Sequence, residues 1–171
     1  MTHARVVLGI SLLGALVAAP LSVATAQQAR PSLNAGRITG ELVAGTYAGI
    51  GGFLVGRFVG ERIGDLAGVD QDVTRRMVGN VTGVAVAGLA TAGTVYAIGN
   101  IGDQTGQFDA TYLGTGVGFV AGWALSRALL GPQERPRQGM STAMRWATAN
   151  IIAFLPSIGA TVGFNSSRRF R

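Results

Sequence analysis

Residues 40–64 read GELVAGTYAGIGGFLVGRFVGERIG, and the spacing of their glycines decides how the chain folds. Gly52, Gly56, Gly60 and Gly64 recur every fourth residue, and Gly45 and Gly49 stand one turn apart ahead of them. Residues four apart share a helix face, so the pattern lays a strip of bare backbone along one side of a continuous helix. Such a strip lets a second helix come close enough for backbone dispersion contacts. In water the arrangement is poor, because each interior glycine costs about 1 kcal/mol relative to alanine. In a bilayer the backbone has no partner but itself, so helix is enforced and glycine is free to serve packing. The stretch therefore predicts a membrane-embedded helix.

The same device recurs further along. Gly114, Gly118 and Gly122 lead to Ser126, and a weaker version runs through Gly79, Gly83 and Ala87. Four apolar segments, roughly 39–64, 76–99, 108–130 and 144–165, are separated by polar connections, of which GPQERPRQGMS with Pro132 and Pro136 is the clearest loop. Each is about as long as the roughly 20 residues a spanning helix needs. The expected fold is all-α, a membrane bundle of about four glycine-zipper helices, with the eleven glycines from Gly45 to Gly122 named above as its packing residues.

A transmembrane strand also uses glycine, so alternation is the competing pattern. From Thr111 to Leu125 one parity carries Thr111, Leu113, Thr115, Val117, Phe119, Ala121, Trp123 and Leu125, and the other is rich in glycine. Ile158, Ala160, Val162 and Phe164 alternate in the same way near the C-terminus. These stretches allow an eight-stranded outer-membrane β-barrel as the alternative fold. Bulky residues on both parities of VTGVAVAGLATAGTVYAIG and the scarcity of polar side chains to line a lumen favour helices.

Ahead of these segments, Met1 to Arg5 form a basic start, VVLGISLLGALVA an apolar run too short to span, and Ala24-Thr25-Ala26 a small-residue site before Gln27. This is the layout of a cleaved signal peptide over 1–26, leaving one glycine-rich domain over 27–171. The chain has no cysteine and no lysine, and its single histidine, His3, leaves with the signal. The mature protein is then without an imidazole, thiol or amine side chain, and the expectation is no enzyme, no catalytic residue, no cofactor and no metal. Disulfides are excluded too, so packing or a membrane must hold the domain together. The net charge of +6 and pI near 11.3 do not signify nucleic acid, because the arginines flank apolar segments rather than interleaving with aromatic residues.

The runs GELVAGTYAGIGGFLVG (40–56), FDATYLGTGVGFVAG (108–122) and LPSIGATVGFN (155–165) resemble uncharacterised bacterial glycine-zipper envelope proteins that carry a signal peptide. The resemblance implies a location in the cell envelope and carries over no catalytic residue. With it, the expected role is structural or assembly-related through helix packing, the inner membrane is preferred over the outer, and the partners are the lipid bilayer and a homo-oligomer, with no small-molecule substrate. The alternatives are an oligomeric pore or small-solute conduit, and, on a barrel, an anchoring or surface module.

Individual residues read as structural. Arg57 has Glu61 four residues on to pair with. Glu41 is placed in a first helical turn, where the dipole favours a carboxylate. Asp72, two residues after Asp70, caps the second helix. Tyr96, Tyr112 and Trp146 belong to an interfacial belt, while Tyr47 and Trp123 are assigned to helix packing. Pro156 kinks the last helix, and Ser157 satisfies a freed carbonyl. A cleaved signal and four crossings would put both termini outside, with connections 61–76 and 131–143 inside.

Overall fold

The computed structural model describes residues 34–69, 71–131 and 141–170. The expected signal peptide, Asp70, Pro132 and Pro136 lie outside the described residues. Helix α1 spans Ala35–Leu66, α2 Asp72–Gly99, α3 Phe108–Leu129 and α4 Thr142–Ser167. Two-residue strands β1, Gln104–Thr105, and β2, Arg169–Phe170, pair antiparallel, with Gln104 opposite Phe170 and Thr105 opposite Arg169.

The helix ends follow local chemistry. Asn34 caps α1, its side chain accepting from the Arg37 amide at 3.3 Å, so the helix starts four residues before the expected 39. Ser141 likewise accepts from the Met144 amide at 3.2 Å and opens α4. Gln71, not Asp72, is the N-cap of α2; Asp72 lies in the first turn and takes a 2.6 Å hydrogen bond from Arg75. Past α1 the chain reverses through Gly68 at φ +69°, a left-handed backbone that only glycine adopts without strain.

The helices form two antiparallel hairpins. α1 packs most extensively on α2, and α3 on α4, with lighter contacts between the hairpins. The contacts between hairpins that carry the fold, Gly45 on Ser157, Glu41 on Asn165 and Gly99 on Phe164, fall in the half of the bundle where α1 begins and α4 ends. At that end Phe164 is fully buried, its ring held between Gly99 and Gly106 and edge-on to Tyr96, with centroids 6.3 Å apart.

The fold is thus the all-α bundle read from the glycine ladder, and the barrel alternative is overturned. Residues 111–125, whose alternation suggested a strand, lie within α3. Extra glycines at 116 and elsewhere imitate a period of two, but Gly118 and Gly122 are buried one turn apart on a helix face. Among the described residues three helices, α1, α2 and α4, are long and apolar enough to cross a membrane. α3 is the exception to the expected four. At 22 residues it is the shortest of the four, and it carries Asp109 in its first turn and Arg127 in its last.

Candidate functional site

Two features of the interior stand out: backbone-to-backbone crossings at glycine, and a buried charge cluster at one end. In the α1–α2 hairpin, a Cβ added at Gly56 would lie 2.7 Å from the Thr82 carbonyl oxygen, and one at Gly60 would lie 2.9 Å from the Gly79 Cα. Gly52 meets the Val86 carbonyl and Ala87, Gly79 the Arg57 carbonyl and Glu61, and Gly83 the Phe53 ring and carbonyl. Gly49 faces Thr91, and Gly45 faces Val95 together with Ser157 of α4. In the α3–α4 hairpin the approach is tighter still. A Cβ at Gly114 would run into the Gly159 carbonyl, and one at Gly118 into the Leu155 carbonyl. Gly64, beside Arg75, and Gly122, beside Ile152, stand in looser contact, where a methyl group would meet ordinary van der Waals neighbours.

Gly159 and Gly163 of α4 belong to the same crossings, against Gly114 and Ala110, and sequence reasoning missed them. The signal was present as a four-residue spacing, but it was read as strand alternation with Ile158, Ala160 and Val162.

The interior around these crossings holds polar rather than large apolar side chains. Thr46, Thr91, Thr111, Thr115, Ser157 and Thr161 are buried, while the buried apolar set is Ala87, Ala92, Val95, Leu155, Ala160 and Phe164. Three of these hydroxyls, those of Thr46, Thr111 and Thr115, are compatible with burial because they bond to carbonyls one turn back. Thr111 donates to the Gln107 carbonyl at 2.8 Å and Thr115 to the Thr111 carbonyl at 2.9 Å. Thr46 lies 2.8 Å from the Leu42 carbonyl and 2.9 Å from Ser157 Oγ, so Ser157 ties α4 to α1. Outward-facing positions carry the bulk instead, with Leu54, Val55, Phe58, Leu66, Val73, Leu113 and Val120 all exposed.

Tyr47 and Trp123 also face outward, correcting their assignment to helix packing. Both sit on the helix face opposite the glycines, where a large ring has room. Arg57 pairs with Glu61 at 2.9 Å as the i, i+4 spacing requires.

Glu41 departs furthest from its sequence reading. Because α1 starts at Ala35, Glu41 lies in the second turn, and it is 0% exposed. Arg37 Nε sits 3.2 Å from one carboxylate oxygen, with its own side chain only 10% exposed. The Asn165 amide nitrogen donates to the other oxygen at 3.1 Å and to the Thr161 carbonyl at 2.7 Å. Arg168, 5% exposed, brings a second positive charge to the same carboxylate. Buried carboxylates are costly unless paired and hydrogen-bonded, and here α1 and α4 divide that task. Ser167 extends the seam, its Oγ accepting from the Gln107 amide at 3.0 Å.

Comparison with family models, characterised proteins and solved structures gives no match to this chain. What fold and interior define is therefore a class: an all-helical bundle with three helices compatible with a membrane location, apolar outside and small or polar within.

Proposed function

We propose that the chain is an integral membrane protein of the bacterial cell envelope whose role is structural or assembly-related, exercised through close helix packing and without enzymatic activity. One observation carries the reading. Most large apolar side chains lie on the outside of the bundle, and apart from Val95, Leu155 and Phe164 the inside is filled by glycine, alanine, threonine, serine and a charge cluster. In water this distribution would forgo the hydrophobic driving force, whereas lipid solvates the outer face and leaves packing and buried hydrogen bonds to hold the helices together. α3 is drawn into the same slab by its partner, since its glycines lock it along α4. The apolar start of the chain and its likeness to envelope proteins support export, and the missing imidazole, thiol and amine groups support a non-enzymatic role.

Alkaline carbonate washing of membranes tests the placement. The chain is expected to stay in the pellet through carbonate and high salt and to enter the supernatant only with detergent. Release by carbonate alone would show a peripheral protein and overturn the reading.

The buried hydroxyls and Glu41 favour a second reading, a small-solute conduit, because they put polar groups where all four helices converge. Dye-loaded liposomes separate the two. A packing bundle is expected to retain the dye at the rate of protein-free vesicles, and protein-dependent leakage would select the conduit.

A further inference from the structure

The end of the bundle where α3 stops and α4 begins carries an unequal share of charge. The acids described there, Glu61, Asp65 and Asp72, are engaged by arginines of their own hairpin: Arg57 at 2.9 Å, Arg62 at 3.7 Å and Arg75 at 3.1 and 2.6 Å. The α3–α4 hairpin brings Arg127 to this end on an exposed face of α3, with Arg145 at the start of α4. Gly118 against Leu155 and Gly122 beside Ile152 fix the antiparallel register, which a further turn or so carries to Arg127 about level with Arg145.

Arg127 also has a defined aromatic neighbour. Its guanidinium lies 5.6 Å from the centroid of the Trp123 ring, and that indole is 64% exposed. Going back along the same helix face, Val120, Val117 and Leu113 follow at three- and four-residue steps, all exposed. Gly116 lies in this strip with open space where a Cβ would be, a shallow trough between the larger side chains. At 1.5 Å per residue the strip runs about 21 Å from Leu113 to Arg127.

We propose that this face of α3 is a binding site for an anionic phospholipid, the headgroup phosphate on Arg127 beside the Trp123 indole and an acyl chain along the strip past Gly116. A guanidinium matches phosphate oxygens in charge and geometry, and an indole favours the boundary between headgroup and acyl chain. A neutral lipid could fill the strip equally well, so selectivity for negative charge comes from the cationic end. The proposal rests on the membrane reading above.

The two tryptophans supply the probe. The full chain carrying Trp146→Phe, so that Trp123 alone reports, is reconstituted in vesicles in which brominated phosphatidylglycerol or brominated phosphatidylcholine is the quenching lipid at equal mole fraction. Trp123 is expected to show about fivefold preference for phosphatidylglycerol. Arg127→Gln is expected to abolish that preference, Arg127→Lys to keep most of it, and Arg62→Gln, which removes a cation from the same end of α1, to leave it unchanged. Equal quenching by the two lipids, or a preference that survives Arg127→Gln, overturns the site while the membrane reading stands. Loss of the preference on adding inorganic phosphate would make the ligand a free anion and overturn the lipid assignment. Absence of quenching by either lipid would mean that this face of α3 does not meet lipid and would overturn the site, whereas the membrane reading, carried by α1, α2 and α4, stands or falls on the carbonate wash.

Discussion

Replacing Gly118 by leucine is expected to unpair α3 from α4 and to lower stability in detergent by more than about 3 kcal/mol, beyond the usual range for overpacked cores. The Cβ alone would collide with the Leu155 carbonyl and sit 2.7 Å from the Pro156 Cα, both backbone atoms of a helix that cannot move aside without leaving its partner. Leucine is the better helix former by about 0.8 kcal/mol, so any loss comes from the crossing and not from the helix itself. Gly56→Leu should act in the same direction on α1 and α2, where the Thr82 carbonyl oxygen would be 2.7 Å away. Leu113→Ala and Gly51→Leu set the baseline. Leu113 is exposed, nothing lies within 4 Å of a Cβ at Gly51, and both changes should stay within about 0.5 kcal/mol. Unfolding midpoints in a graded detergent series read all four. Equal shifts for Gly118→Leu and Leu113→Ala would mean that the close crossings do not hold the bundle together.

Glu41→Ala is expected to be the most damaging change to a charged residue, costing about 3–5 kcal/mol, the range for breaking a buried ion pair by removing one partner. It leaves Arg37 and Arg168, both largely buried, without the carboxylate that offsets their charge. Glu61→Ala removes an ion pair of the same i, i+4 spacing, but its side chains are 45% and 34% exposed, and solvent should hold its cost below about 1 kcal/mol. The contrast between the two variants, measured by the same detergent series, isolates burial as the cause. Replacing Arg37, Glu41, Asn165 and Arg168 together by apolar residues of similar size should recover much of the loss, because the desolvation cost disappears along with the attraction. Similar midpoints for Glu41→Ala and Glu61→Ala would show that the cluster contributes no more than a surface pair.

The contrast between these two predictions also marks how far the sequence could be read. Gly56, Gly60, Gly114 and Gly118 declare themselves through spacing, since a helix face is a local property with a fixed period. The helices themselves were legible for the same reason, together with the length of the apolar segments. Glu41 was read through its neighbours in the chain, which suggested a helix dipole, whereas its partner Asn165 lies 124 positions away. No local pattern encodes that meeting. Helix starts were less legible: the apolar pattern draws the boundary to 39, whereas the Asn34 cap starts α1 at Ala35. Tyr47 and Trp123 were misplaced because a large ring in an apolar run looks like core, and only the glycines opposite them show that the core side has no room.

The division of the charge cluster between the first and last helices bears on the order in which the protein is made. Arg37 and Glu41 emerge early, while Asn165 and Arg168 emerge after the rest of the bundle, so for most of synthesis the carboxylate has to do without its distal partners. During that interval the i, i+4 pair lets α1 carry its own counter-ion, and nascent α1 presents a compensated dipole rather than a bare anion to its surroundings. Arg168, the last member of the cluster, directly precedes β2, so one short segment both completes the shared arrangement and pairs with β1 to close the same end of the molecule.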